Sequence, residues 1–195
     1  MFTDQQEKEL AAPLKGEHVK QRPGANKQSL SYLEAWQLIE TANRIFGFAG
    51  WSRETVETES LHEPRLVIDQ ESPEANKVVA AYSAKVRVSV YAGERTIVRE
   101  GCGAARGFAR TVGEAMENAL KAAETDAMKR ALVTFGNAFG LALYDREQRN
   151  VERGSQRQLS DAGRAIDAAF EPQRRPTNSQ RAIAARNGKR DDLPV

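Results

Sequence analysis

The sequence predicts an α+β fold in which a curved antiparallel β-sheet packs against one long α-helix, with a disordered C-terminal tail. Residues 77–91 alternate between apolar and polar side chains, which is typical of a strand with one buried face. Residues 111–135 place apolar side chains three and four residues apart, which is typical of an amphipathic helix. Residues 146–195 are rich in Arg, Gln, Asn and Ser and poor in large apolar residues, so they are expected to be largely disordered.

The segments before the sheet are expected to be short. Residues 4–12 predict a polar helix, and turn-forming residues predict a hairpin within residues 18–32. Residues 34–46 predict a longer helix, because apolar residues recur at helical spacing and Gly47 follows. Residues 1–28 are therefore expected to add a helix and a hairpin, which we expect to contact another subunit.

Three strands are expected in the sheet. Residues 51–61 alternate and are rich in β-branched residues, whereas the prolines within residues 63–76 predict an excursion away from the sheet. Residues 92–94 predict a hairpin turn and residues 95–100 its second strand. On the central strand, one predicted face consists of Ala84, Val86, Val88 and Val90, and the other of Ser83, Lys85, Arg87 and Ser89.

Three glycines, Gly101, Gly103 and Gly107, follow the predicted hairpin. The stretch lacks the Gly-Lys-Ser/Thr ending of a phosphate-binding loop, so a flexible connection to the helix is expected instead. Cys102 has no histidine nearby in the sequence, and we expect a small packed residue rather than a nucleophile.

The predicted helix over residues 111–135 begins with a capping box formed by Thr111 and Glu114. At about 100° per residue, Lys129 and Arg130 fall on opposite flanks of its apolar stripe. That stripe is expected to consist of Met116, Leu120, Ala123, Ala127, Ala131 and Phe135.

Charge is distributed unevenly along a chain whose net charge is only +2. Residues 77–130 contain ten basic and six acidic residues, whereas residues 51–76 contain two and seven. A basic segment of this kind can present a local positive surface to phosphates. Charge alone is equally compatible with scattered, solvated side chains.

Several classes of protein are disfavoured by composition. No run approaches the ~18 apolar residues of a membrane span, and the acidic N-terminus is unlike a signal or transit peptide. One cysteine, Cys102, and two histidines, His18 and His62, give neither an internal disulfide nor zinc-ligand spacing. The protein is expected to be cytoplasmic and nucleoid-associated, with no metal and no other cofactor.

A metal-dependent nuclease that uses the acidic residues of positions 54–74 is a further hypothesis. Their spacing on a strand and a proline-containing loop favours a solvated acidic face instead. We find no catalytic constellation in the sequence and expect a protein that is not an enzyme.

Two motifs are more informative about function. The first is Phe46-Gly-Phe-Ala-Gly-Trp51, and the second is Thr125-Asp-Ala-Met-Lys-Arg-Ala-Leu132 followed by Phe135-Gly-Asn-Ala-Phe-Gly140. In this order, with a strand hairpin between them, they resemble the DNA-binding domain of the Rad52 family of single-strand annealing proteins. The resemblance covers about residues 34–145, and the small size is more similar to bacterial or phage members than to eukaryotic ones.

The resemblance implies a ring of many subunits with a deep basic groove around its outside. Single-stranded DNA lies in that groove with its bases exposed, so that a complementary strand can pair without ATP or metal. On this basis residues 29–145 are expected to be the annealing domain. The tail would tether a single-strand binding protein or a recombinase, contact DNA weakly, or be dispensable.

The resemblance also implies roles for individual residues at positions that match the family's motifs. Lys129 and Arg130 match the basic pair that contacts phosphates at the bottom of the groove. Lys77 matches a lysine of a second, outer DNA site, and Arg110 lies within one residue of another. Phe48 stands where eukaryotic members have a tyrosine.

The sequence also departs from the family pattern at two basic positions, which are Val133 and Gln37 here. Arg44, Lys85 and Arg87 are nearby in sequence and are candidates to compensate for the lost charge.

Backbone binding independently calls for Lys and Arg on a rigid surface without base-reading side chains. Phe48 and Tyr82 could also stack on bases, although Phe48, Trp51, Phe135 and Phe139 are expected to be core residues. The alternative function is a module that coats single strands or loads a recombinase without annealing.

Overall fold

The computed structural model describes residues 1–23, 29–68 and 76–152. Most of the tail, for which disorder was predicted, lies outside the described residues. The helices are α1 (Asp4–Ala11), α2 (Ala35–Phe46) and α3 (Val112–Val133), the strands are β1 (Lys20–Pro23), β2 (Ser29–Tyr32), β3 (Trp51–Val67), β4 (Lys77–Ala92) and β5 (Arg95–Ala109), and short 3-10 turns occupy Gly16–His18, Asn137–Phe139 and Leu141–Tyr144.

The predicted combination of helices with antiparallel strands is confirmed. β1 and β2 form a separate two-stranded hairpin, and β3, β4 and β5 form one antiparallel sheet in that order. The predicted apolar face of β4 is buried, with Val86, Val88 and Val90 each at most 1% exposed. The curvature of the sheet stays a prediction.

β3 extends beyond its predicted end. It was expected to stop at residue 61, but it pairs with β4 as far as Val67, opposite Lys77. Pro64 lies within this extension, where the register shifts between His62 and Arg65. A proline is tolerated at this position because β3 is an outer strand and a local irregularity removes the need for a donor.

The glycine-rich stretch is a strand, and the prediction of a flexible connection is wrong. β5 continues through Gly101, Gly103 and Gly107 and pairs with β4 along its whole length. A Cβ atom added at Gly103 would lie 2.5 Å from the carbonyl oxygen of Ala123, which belongs to α3. The glycines therefore allow the helix backbone to approach the sheet closely.

The prediction that Cys102 is packed is also wrong, because this residue is exposed. Cys102 lies between Gly101 and Gly103, which face α3, so its side chain points to the opposite face of the sheet.

α3 packs on the sheet mainly through alanines. The predicted stripe is confirmed at Ala123, Ala127 and Ala131, but Met116 and Leu120 are only partly buried. The fully buried line of alanines is Ala115, Ala119, Ala123, Ala127 and Ala131, at four-residue spacing. Small side chains on the helix opposite glycines on β5 explain the close contact of the two elements.

The core continues into the first residues of the chain. Leu10, Leu14 and Val19 belong to the same buried cluster as Val86 and Leu132. Within the described ranges, no helix is long and apolar enough to cross a membrane.

Candidate nucleic-acid interface

An open groove of about 810 Å³ lies between the β1–β2 hairpin, one face of α3 and the turns that follow α3. We call it the α3 groove. Its lining includes Arg22, Ser31, Tyr32, Leu33, Asn118, Lys121, Thr125, Asp126, Lys129, Arg130, Val133, Phe139 and Tyr144. The predicted basic pair is therefore brought into one concave surface, together with two cations that sequence reasoning missed.

Lys129 connects α3 to the end of the β1–β2 hairpin. Its ammonium donates a hydrogen bond to the carbonyl oxygen of Leu33 at 2.7 Å and lies 5.4 Å from the centre of the Tyr32 ring. Burial, followed by the nearby charge of Arg22, lowers the pKa of Lys129, and the carboxylate of Asp126 partly opposes this shift. The side chain is partly buried yet still faces the groove.

Arg130 is the more accessible member of the pair. Its Nε donates to Oδ2 of Asp126 at 2.9 Å, one helical turn away, and 59% of its side chain is exposed. The hydrogen bond to Asp126 raises the pKa of Arg130, so the guanidinium is charged at any working pH. A planar, permanently charged fork of this kind suits phosphate oxygens.

Arg22 and Lys121 complete the set of cations that line the groove. Arg22 lies over the ring of Tyr32 at 5.6 Å, and Lys121 forms an ion pair with Glu117. Lys121 precedes Lys129 by two helical turns, and this spacing could have revealed it in the sequence. Arg22 offered no comparable signal, because its position depends on how the hairpin docks against α3.

The two departures from the expected basic pattern have different surroundings. Val133 lines the α3 groove, so an apolar side chain replaces a cation there. Gln37 is buried in α2 and donates from its amide nitrogen to a carboxylate oxygen of Glu40 at 3.3 Å.

Lys85 and Arg87 do not join the α3 groove. They alternate with Val86, whose neighbour across the sheet, Gly101, faces α3, so they point to the opposite sheet face. There both form ion pairs with Glu100, at 2.8 and 2.9 Å, and Arg87 also pairs with Glu54 at 3.3 Å. Compensation by these two residues inside the groove is therefore not what the structure shows.

Arg44 and Phe48 lie on a second, shallow surface that also includes Trp36 and Ile39. Arg44 is ion-paired with Glu9. Phe48 is 87% exposed, so the prediction that it is a core residue is wrong. The same prediction is confirmed for Phe135 and Phe139, which are buried, and Trp51 packs partly buried against the same core.

Lys77 and Arg110 lie together at one end of the sheet. Val78 pairs with Ala109, so the residues that flank this pair are neighbours on adjacent strands, and both are exposed. Helix α3 starts at this end, and 17 residues at about 1.5 Å each separate its first residue, Val112, from Lys129. The two basic pairs are therefore about 25 Å apart along the helix.

No cluster of three or more His, Cys, Asp or Glu side chains able to hold a metal ion occurs in the part of the chain that the structure describes. Of the acidic residues considered for nuclease chemistry, Glu54 is engaged by Arg87, and those of positions 69–75 lie outside the described residues.

Comparisons of the sequence with a family model and with individual proteins indicate the same family. A model of the Rad52/22 family of double-strand break repair proteins matches residues 3–160. The DNA repair and recombination protein RAD52 of Candida glabrata is 36% identical over 146 residues, which are 74% of this chain and 26% of that protein. The DNA repair and recombination protein rti1 of Schizosaccharomyces pombe is 38% identical over 150 residues, which are 74% of this chain and 38% of that protein.

RAD52 of Saccharomyces cerevisiae is 37% identical over 133 residues, which are 67% of this chain and 26% of that protein. The chain thus spans well under half the length of each of these relatives. All three are fungal, so the bacterial or phage origin expected from size stays a prediction.

Proposed function

Because the chain belongs to the Rad52/22 family of double-strand break repair proteins, we propose that it binds single-stranded DNA and anneals complementary strands without ATP. The observation that carries the proposal is the α3 groove. Four cations, Arg22, Lys121, Lys129 and Arg130, line one concave surface, and the last three belong to α3. Backbone recognition needs this arrangement, because phosphates supply the affinity while the bases stay free to pair.

Oligomerisation is part of the proposal. One groove offers few phosphate contacts, whereas a ring of subunits repeats them along one strand and multiplies the affinity. β3 and β5 are the outer strands of the described sheet, and such edges favour association with another chain. Sedimentation velocity at micromolar concentration should show a large assembly, and a monomer alone would contradict this part.

A second, outer DNA contact is proposed for Lys77 and Arg110, which are exposed at the end of the sheet remote from Lys129. Phe48 and Arg44 are proposed as a further contact, since an exposed ring beside a cation can stack on a base. The Lys85–Arg87 pair is the weakest candidate, because it lies on the sheet face opposite α3 and outside the α3 groove.

The decisive experiment measures annealing of two complementary fluorescent oligonucleotides without ATP. The wild-type protein is compared with Lys129→Ala/Arg130→Ala and with Arg95→Ala/Arg149→Ala, which removes two exposed positive charges outside the α3 groove. We expect rapid annealing by the wild type and the control and its loss in the groove variant. Far-UV circular dichroism checks that each variant is folded, because Lys129 also binds the Leu33 carbonyl.

Other outcomes have definite meanings. Annealing that survives in the groove variant would move the site, most directly to Lys77 and Arg110. Tight binding by the wild type without faster annealing would leave a protein that coats single strands or loads a recombinase. Binding that is insensitive to salt would contradict a phosphate-led interaction of any kind.

A further inference from the structure

The α3 groove contains one carboxylate among its described lining residues, and this is Asp126. The four cations Arg22, Lys121, Lys129 and Arg130 line the same groove. A negative charge in a groove that receives phosphates opposes binding, so its presence requires an explanation beyond affinity.

Asp126 is close to both members of the basic pair. Its Oδ2 accepts the hydrogen bond from Nε of Arg130 at 2.9 Å. Its charge also acts on the ammonium of Lys129, whose pKa it raises against the opposite effect of burial. Asp126 therefore neutralises part of the positive potential at Lys129 and Arg130, the two residues that we propose as the main DNA contacts.

The hydrogen bond to Asp126 leaves the outer edge of the guanidinium available. Asp126 engages Arg130 through Nε, and the terminal amino groups form no hydrogen bond within the described part of the chain. Arg130 can therefore contact a phosphate while it stays bonded to Asp126. The carboxylate then lies near the incoming phosphate, where like charges repel.

We infer that Asp126 is a fixed counter-charge that limits the affinity of the α3 groove for the DNA backbone and so keeps a bound strand exchangeable. This inference rests on the proposed function, since annealing requires two strands to shift register until they match. A groove with four cations and no carboxylate would hold each phosphate more tightly and would slow that search.

Two isosteric substitutions test the inference. Asp126→Asn removes the charge, while the amide oxygen can still accept the hydrogen bond from Arg130. The matched control is Asp145→Asn, because Asp145 forms the same type of i,i+4 pair with Arg149, also at 2.9 Å, outside the groove. Both variants change the net charge of the protein by the same amount.

Binding to a fluorescein-labelled oligo(dT) is measured by anisotropy over a series of salt concentrations. We expect Asp126→Asn to bind about 3- to 10-fold more tightly than the wild type at low salt, with a difference that shrinks as salt screens the charge. Asp145→Asn should change Kd less than about twofold, because Asp145 is not among the residues that line the α3 groove. Equal tightening in both variants, or no tightening in Asp126→Asn, would overturn the inference.

Exchange is measured by chasing the labelled complex with unlabelled strand. Asp126→Asn should release its strand several-fold more slowly and anneal more slowly at saturating protein, whereas Asp145→Asn should match the wild type. If the wild type anneals and Asp126→Asn has the same release rate, the inference fails while the proposed function stands. If the wild type does not bind single strands, both fail.

Discussion

Lys129 combines two roles at the scale of a single residue. Its ammonium stabilises the junction between β2 and α2 by bonding the Leu33 carbonyl, 96 residues away in sequence, and it also faces the α3 groove. Partial burial lowers its pKa, so Lys129 loses its proton at a lower pH than a lysine of ordinary pKa, 10.5. The affinity of the α3 groove for phosphate should therefore decrease at a lower pH than a lysine of ordinary pKa would give.

We expect the affinity for a labelled oligo(dC) to fall as the pH rises through the lowered pKa of Lys129. Only the protonated side chain attracts phosphate, so binding is strongest below that pKa and weakens above it. Lys129→Arg should keep its affinity to higher pH, because the guanidinium does not deprotonate. Superimposable pH profiles of the two proteins, measured by anisotropy, would contradict this assignment.

At the scale of elements, the contact between α3 and β5 determines the thickness of the domain. Added Cβ atoms at Gly101, Gly103 or Gly107 would lie 2.1 to 2.5 Å from backbone atoms of α3. Backbone cannot move aside as a flexible side chain can, so the helix and the strand would have to separate.

Gly103→Ala should therefore lower the free energy of unfolding by about 1–3 kcal/mol, through overpacking against Ala123 and Ala127. The control is Gly113→Ala in the first turn of α3, where an added Cβ has no neighbour within 4 Å. That substitution should raise stability by about 0.5–1 kcal/mol, since alanine favours a helix. Urea titration measures both, and similar stabilities for the two variants would disprove the close contact.

The opposite face of the sheet is connected by ion pairs across its three strands. Glu100 accepts from Lys85 and Arg87, and Arg87 also reaches Glu54. The hydrogen bonds from Lys85 and then Arg87 lower the pKa of Glu100 below its ordinary value of 4.5. The charged form is therefore favoured in the folded state.

A lowered carboxylate pKa contributes stability above the unfolded-state pKa, and this contribution is lost as the pH falls through the folded-state pKa. Glu100→Gln should thus be less stable than the wild type at neutral pH, with a difference that shrinks as the pH falls through the lowered pKa of Glu100. Urea titrations over a series of pH values from neutral to acidic check this. Glu94→Gln, at the exposed β4–β5 turn, serves as the control and should show a much smaller difference at neutral pH.

At the scale of the whole molecule, an aromatic cluster connects segments that are distant in sequence. The cluster consists of the rings of Phe2, Phe46, Phe135 and Phe139. Phe46 and Phe135 contact each other and both other rings, and the ring centres of these five pairs are 5.5 to 6.5 Å apart. The first residues, the end of α2 and the turns after α3 therefore share one core. Loss of this cluster should affect all of them together.

Phe46→Ala should lower the free energy of unfolding by about 3–5 kcal/mol, because it leaves a cavity at the centre of the cluster. Phe48→Ala, two residues along and 87% exposed, should change stability by no more than about 0.5 kcal/mol. Tryptophan fluorescence and circular dichroism should report one coincident transition for each protein. Equal losses in both variants would contradict the burial pattern.

The parts of the molecule that the sequence by itself determined are those with a local signal. The helix of α2, the alternating face of β4, the hairpin turn and most of α3 follow from periodicity within a few residues. The pairing of Lys129 with Arg130 on one helix also follows from the sequence, as does family membership, because both rest on short contiguous motifs.

Tertiary structure alone decided the features that depend on contacts between distant segments. Gly103 is a strand residue because β4 and α3 hold it there, although glycine disfavours a strand on its own. Arg22 lines the α3 groove because the β1–β2 hairpin packs beside Lys129. Lys85 lies outside the groove because its side chain is on the sheet face opposite α3. The sequence gives the positions of the charged residues along the chain, but the packing of distant segments decides which surface each charge occupies.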